Sequence, residues 1–157
     1  MTHKSDTICA LATAYGQSGI GVIRVSGPLS RFIAKKILHK DLESRYAYYG
    51  AFFDDDSHVI DKGVAIVFPG PNSYTGEDVV EFQGHGGISV IRKLLETIIS
   101  LDVRLAEPGE FTKRAFLNGK MDLVQAEAVQ DLIQSNSEES ALSAVRSLTG
   151  EFSEQIN

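Results

Sequence analysis

The sequence predicts an α+β domain, strands with packed helices, followed by the start of an all-α domain. Three observations predict it. Over the first 85 residues the apolar side chains either alternate or form short runs rich in β-branched residues, which is the pattern of strands. Ile88, Ile91, Leu94, Leu95, Ile98 and Ile99 then recur at i, i+3, i+4 and i+7, the pattern of a helix. Beyond Lys120 neither Gly nor Pro occurs until Gly150, and helical periodicity continues. Charge changes at the same place. Residues 1–120 carry 14 Lys/Arg and 14 Asp/Glu, whereas beyond them Arg146 stands against Asp122, Glu127, Asp131, Glu138, Glu139, Glu151 and Glu154. The whole net charge of −6 therefore falls after residue 120, and the boundary divides a domain over 1–120 from helices over 121–157.

In chain order, strands are expected at 7–13, 20–26, 46–53, 59–68 and 78–83. Gly27-Pro28 opens a helix in which Phe32, Ile33, Lys36, Ile37 and Leu38 recur, with Pro28 suited to its first turn. Asp54-Asp55-Asp56-Ser57 reads as a solvated hairpin turn in preference to a metal site. Gly84-His85-Gly86-Gly87 ends the last strand and leads into the helix over 88–99. Val103 to Ala106 is extended, and Pro108-Gly109-Glu110 starts a helix with Phe111, Ala115 and Phe116 facing inward. Asn118-Gly119 stops it as a left-handed cap. Leu123, Val124, Ala126, Ala128, Val129, Leu132 and Ile133 form the next helix. A capping box, Ser135 with Glu138 or Asn136 with Glu139, then starts another that carries Ala141, Leu142, Val145, Leu148 and Phe152. Such a hairpin of helices either folds back or waits for further chain, so the sequence reads as a fragment.

Composition excludes several function classes. A chain of 157 residues that is 43% apolar needs no disulfide or metal to hold a core, and its single Cys9 cannot build a framework. No apolar run approaches the roughly 20 residues of a membrane span, and the first residues lack a secretory pattern, so a soluble cytoplasmic protein without membrane partners is expected. The acidic tail disfavours direct nucleic-acid binding by that segment. Gly16-Gln17-Ser18-Gly19-Ile20-Gly21 precedes a strand where a phosphate loop precedes a helix, and no Gly-Lys-Ser/Thr ending follows. Hydrolysis of GTP or ATP by these residues is not expected. Gly84-His85-Gly86-Gly87 does open a helix and its amides could meet an anion, but without a Lys a tight strand-to-helix turn is the preferred reading. His3, His39, His58 and His85 are scattered, with no ligand spacing, so no structural metal is expected. Cys9 sits in an apolar strand as a small buried hydrophobe.

Charges inside strands are more informative. Ile20, Val22, Arg24 and Ser26 share one face of their strand, while Glu81 stands between Val79 and Gln83 on another. Each must meet an opposite charge or a ligand. Two readings stay open: an internal Arg24 to Glu81 salt bridge, or a small-molecule site with Lys120 at its rim. The loop from Phe68 to Asp78, stiffened by Pro69 and Pro71, suits either a rigid connection or the holding of a ligand or partner.

Assembled, these stretches resemble the N-terminal part of the tRNA-modification GTPases called MnmE or TrmE. The matching segments are Asp6-Thr7-Ile8, Gly19 to Gly27, Phe68 to Asp78, Glu81 to Gly87, and above all Glu107-Pro108-Gly109-Glu110-Phe111-Thr112-Lys113-Arg114-Ala115-Phe116-Leu117-Asn118-Gly119-Lys120-Met121-Asp122-Leu123 with Gln125-Ala126-Glu127-Ala128. The resemblance implies a mixed or antiparallel sheet similar to the tetrahydrofolate-binding domain of aminomethyltransferases. It also implies a homodimer through the N-terminal domain and a formyl- or methylene-tetrahydrofolate held by the matching positions Arg24, Glu81 and Lys120. In such proteins a flavoprotein partner, MnmG or GidA, shares the installation of an aminomethyl-type group on the wobble uridine of certain tRNAs. tRNA would then be met through the full complex. GTP, magnesium and potassium would belong to a GTPase domain outside this chain, as would the family's C-terminal cysteine motif. Two rivals remain: a stand-alone aminomethyl or formyl transferase of the glycine-cleavage type, and a dimerisation scaffold without ligand.

Overall fold

The computed structural model describes residues 6–150. They form two compact units: the chain up to Ser73 with Glu77–Pro108, and Tyr74–Gly76 with the chain from Gly109. The fold is α+β, and none of the described helices is long and apolar enough to cross a membrane.

The first unit is built on six strands: β1 (Ile8–Leu11), β2 (Gly21–Ser26), β3 (Tyr48–Phe53), β4 (Val59–Phe68), β5 (Val79–Gly84) and β6 (Arg104–Leu105). They lie in the order β3-β4-β5-β2-β1-β6, and every pairing is antiparallel except the parallel β1–β6, so the sheet is mixed. Helices α1 (Ser30–Leu38) and α2 (Ile88–Ile99) cover one face. Period-two alternation sends Cys9, Ile23, Val25, Ala65, Val67, Val80 and Phe82 to that face. There they pack with Ile33 and Ile37 of α1 and with Ile91, Leu94 and Ile98 of α2.

Several element boundaries shift by one or two residues from the sequence reading, and two of the shifts have a visible cause. The first strand ends at Leu11, yet its edge is still satisfied, because the Ala12 amide donates to the Val22 carbonyl at 2.7 Å and Thr13 Oγ1 accepts the Val22 amide at 3.1 Å. Pro28 lies in the turn before α1 instead of in its first turn. Ser30 explains the later start, for its fully buried hydroxyl lies within hydrogen-bonding distance of the Asp78 carbonyl at 2.8 Å and the Gly27 carbonyl at 2.9 Å, tying the helix start to the sheet.

The second unit contains α3 (Glu110–Leu117), α4 (Leu123–Gln134) and α5 (Glu138–Leu148). The left-handed stop of α3 forms as expected. Gly119 has φ +72°, its amide donates to Phe116 O at 3.1 Å, and the Lys120 amide donates to Ala115 O at 2.8 Å, a Schellman arrangement. Phe116, expected inward, is 41% exposed. Ala115 is buried as expected, Arg114 is buried beside it in place of Phe116, and the Arg114 guanidinium pairs with Glu110 one turn earlier at 3.4 Å. The capping box expected at Ser135 or Asn136 is also corrected. Ser135 closes α4, and Ser137 caps α5 by accepting the Ser140 amide at 3.1 Å, which puts Glu138 and Glu139 in a first turn where the helix dipole favours acids. A reciprocal box forms at the start of α4, between Asp122 and Gln125. Phe152 lies outside the described residues.

Candidate functional site

The strand register assembles the site. Arg24 lies directly opposite Glu81 across the β2–β5 pair, Glu81 lies opposite Ile66 of β4, and Arg24 lies opposite Ala10 of β1. One row, Ile66–Glu81–Arg24–Ala10, therefore crosses four strands on the sheet face turned away from α1 and α2. Val64, Gln83 and Val22 flank it on one side, and Phe68, Val79, Ser26 and Ile8 on the other. Two opposite charges thus sit at the centre of a largely apolar surface.

Their contact is loose. Arg24 Nη2 donates to Glu81 Oε1 at 3.4 Å, with the side chains 25% and 15% exposed. A tight charge-assisted bond is about 2.7 to 2.9 Å long. The guanidinium is a planar fork of donors and the carboxylate accepts two N–H bonds side by side, so together they match a planar ligand edge that carries both donors and acceptors. Beside them the buried Ser26 hydroxyl contacts Glu77 Oε1 at 2.9 Å, which brings a second carboxylate to this face. Sequence reading left Glu77 as a loop residue, since only the β2 register reveals its neighbour.

Lys120 belongs to the second unit. There it follows the Gly119 cap, with its side chain beside Gly76, where a Cβ would lie 3.2 Å from Lys120 Cγ. Gly76 has φ +82°, a conformation that L side chains rarely adopt. The stiff loop supplies this neighbour: Tyr74 Oη lies 2.8 Å from Thr112 Oγ1, and Asn118 Nδ2 donates to the Thr75 carbonyl at 2.8 Å. Arg24 and Glu81 are thus brought together within the first unit, and Lys120 is set within the second.

Sequence reading missed a further pair. Asp61 of β4, 10% exposed, accepts the His85 amide at 2.8 Å, lies 2.8 Å from His85 Nδ1, and accepts the Lys62 amide at 2.7 Å. Burial pushes the Asp61 carboxyl upward, but these hydrogen bonds outweigh it and hold the group below its ordinary value. The sign of the pH effect follows. A lowered folded-state value gives stability that is complete above the unfolded value of about 3.9 and is lost as pH falls through the folded one. Asp61→Asn is therefore expected to cost about 1.5–3 kcal/mol at neutral pH and to flatten the stability profile below about pH 4. Urea melts across that range check it, and an unchanged acid limb would sink the assignment.

Asp54, Asp56 and His58 bring their ligand atoms within 4.8 Å of one another at the β3–β4 turn. The hairpin itself uses Asp54: its Oδ1 accepts the Asp56 and His58 amides at 2.9 Å each, and Oδ2 lies 3.8 Å from Lys93 Nζ. The His58 amide is the largest cause holding this carboxyl below its usual value. Cys9 is buried, and burial pushes its thiol up to about 11, which disfavours the reactive thiolate.

Comparison with known proteins adds the following. The family model described as "GTP-binding protein TrmE N-terminus" matches residues 7–120. Relatives named tRNA modification GTPase MnmE are 60% identical in Vesicomyosocius okutanii, 59% in Ruthia magnifica and 54% in Ectopseudomonas mendocina. Each match covers 100% of this chain but only 34–35% of the relative, so the chain spans about a third of the length of the curated relatives it matches.

Proposed function

The chain belongs to the TrmE N-terminal family, and from that premise we propose that it binds a one-carbon tetrahydrofolate, formyl- or methylene-substituted, through Arg24 and Glu81 with Lys120 as the third charged group. The observation that carries this reading is the loose Arg24–Glu81 pair at the centre of an apolar sheet row. Glu81 suits the aminopyrimidine edge of a pterin, which offers two N–H groups, while Arg24 and Lys120 suit carbonyl or carboxylate oxygens of the folate. The wider reading places this chain in a homodimer that adopts a fold similar to the tetrahydrofolate-binding domain of aminomethyltransferases. It presents the one-carbon unit to a flavoprotein of the MnmG or GidA type for tRNA wobble-uridine modification in the cytoplasm. GTP hydrolysis, with its magnesium and potassium, belongs to chain beyond these residues.

The same pair also favours a second reading, a scaffold in which the Arg24–Glu81 bridge is internal and no ligand is bound. Calorimetric titration with formyl-tetrahydrofolate separates the two. Saturable binding is expected near one folate per chain, weakened about ten- to a hundredfold in Arg24→Ala and in Glu81→Ala, because each loses a hydrogen bond to a charged group of roughly 1.5–3 kcal/mol. Thermal melts of both variants should stay close to wild type. Absent binding, together with destabilisation of several kcal/mol in either variant, would establish the scaffold instead. Light scattering on the same samples tests the dimer.

A further inference from the structure

Asn118, Gly119 and Lys120 leave α3 beside Thr75 and Gly76, and all five residues belong to the second unit. Two contacts join the segments in parallel. Asn118 Nδ2 donates to the Thr75 carbonyl at 2.8 Å, and Lys120 lays its side chain along Gly76. A Cβ on Gly76 would stand 3.2 Å from Lys120 Cγ, 3.5 Å from Lys120 Cδ and 3.0 Å from Asn118 Cβ. The stem of the lysine therefore runs over backbone that carries no side chain. Its Cα end is fixed as well, by the hydrogen bond from the Lys120 amide to Ala115 O at 2.8 Å.

Ending the helix does not by itself require an amide side chain at position 118. The left-handed residue of this stop is Gly119, with φ +72°, whereas Asn118 has φ −91°, outside the left-handed region. The Asn118 backbone amide already serves the helix by donating to Arg114 O at 2.9 Å. What the side chain adds is a grip on the neighbouring segment, where Thr75 is fully buried and so holds its place. A lysine loses more side-chain freedom on binding than most residues, and a stem held in place beforehand lowers that cost.

We propose that Asn118 and Gly76 are positioning residues that aim Lys120, Asn118 by holding the Thr75 carbonyl and Gly76 by leaving the path of the lysine stem open. The assignment rests on the reading of Lys120 as a folate-binding group, and each of the two residues acts through that lysine.

The test is calorimetric titration of the full 157-residue chain with formyl-tetrahydrofolate, beside a nuclear Overhauser measurement between the Gly76 α-protons and the Lys120 γ-protons of the ligand-free chain. Lys120→Ala should weaken binding about ten- to a hundredfold, as loss of a hydrogen bond to a charged group does. Asn118→Ala and Gly76→Ala should each weaken it about 3- to 10-fold. In the Lys120→Ala background each should cost almost nothing further, because residues that act through one another are not additive. The Overhauser contact should fade in Asn118→Ala. Ser137→Ala, which removes the α5 cap in the same unit, should lower the melting temperature and leave affinity within about twofold. If Asn118→Ala does not fold, Asn118→Asp, which keeps the volume and removes the donor, takes its place. Wild-type affinity in Asn118→Ala, an equal loss in the Lys120→Ala background, an equal loss in Ser137→Ala, or an Overhauser contact that persists without the Asn118 amide would each overturn the proposal. If the unsubstituted chain binds no folate, the folate reading falls and the Overhauser contact still decides. Its loss in Asn118→Ala upholds the aiming of Lys120, and its persistence overturns it.

Discussion

Phe82→Ala is expected to lower stability by about 3–5 kcal/mol, the range for deleting a buried aromatic ring. Phe82 is fully buried on β5, the strand between β2 and β4, and its ring meets Phe52 edge to face at 5.5 Å. Alternation puts it on the helix-covered face, where it packs in one cluster with Ile23, Ala65 and Ile91. Those neighbours belong to separate strands and a helix, so the void left by the ring cannot close without moving whole elements. Because a domain is stabilised by only about 5–15 kcal/mol, the variant should melt roughly 10 °C lower and express poorly. Urea melts of the purified variant check this. A loss under about 1 kcal/mol would show that the site collapses freely and that this cluster is not the centre of the core. Glu81, its neighbour in sequence but on the opposite face, provides the contrast: under the proposed folate reading its substitution is expected to weaken ligand binding and to leave the core packed.

Gly63→Ala should cost about as much, for a different reason. A Cβ built on Gly63 lies 2.2 Å from the Gln83 carbonyl oxygen and 3.1 Å from Gly84 Cα, both backbone atoms of the neighbouring strand. No side chain can swing aside, so β4 and β5 must separate just where their paired rows end and the Asp61–His85 bonds begin. Overpacking of this type costs about 1–3 kcal/mol even in side-chain cores, and rigid backbone raises it to roughly 3 kcal/mol or more. Amide exchange should accelerate first at His85, whose N–H is bonded to Asp61. If denaturant melts placed the variant within about 0.5 kcal/mol of wild type, the close approach of the two strands would be wrong.

How far the sequence alone reaches can be seen residue by residue. Alternation alone separates Ile23 and Val25 from Arg24, and Val80 and Phe82 from Glu81, and the burial of each agrees. The Gly119 cap is equally legible, since a left-handed residue followed by Lys120 is a local requirement. The cap of α5 was less so. Ser135, Asn136 and Ser137 are all competent acceptors, and the one used depends on where α4 ends. Asp61 and His85 could not be paired by spacing, because 24 residues and a long loop separate them and the hydrogen bond exists only once β4 and β5 are aligned. Phe116 failed for a similar reason. A helix of eight residues has too few turns for its pattern to show whether Arg114 or Phe116 faces inward, and the Glu110 partner that lets Arg114 be buried is a pairwise property.

The sequence by itself determined the family, the strand and helix types, and the faces on which Arg24 and Glu81 stand, because periodicity and caps act over one or two turns of chain. Only the tertiary structure decided that Arg24 faces Glu81 across 57 residues, that Ser26 meets Glu77, and that Arg31 on α1 meets Asp78 across the fold. Strand register and surface charge are properties of neighbours in space, and a composition averaged along the chain does not contain them.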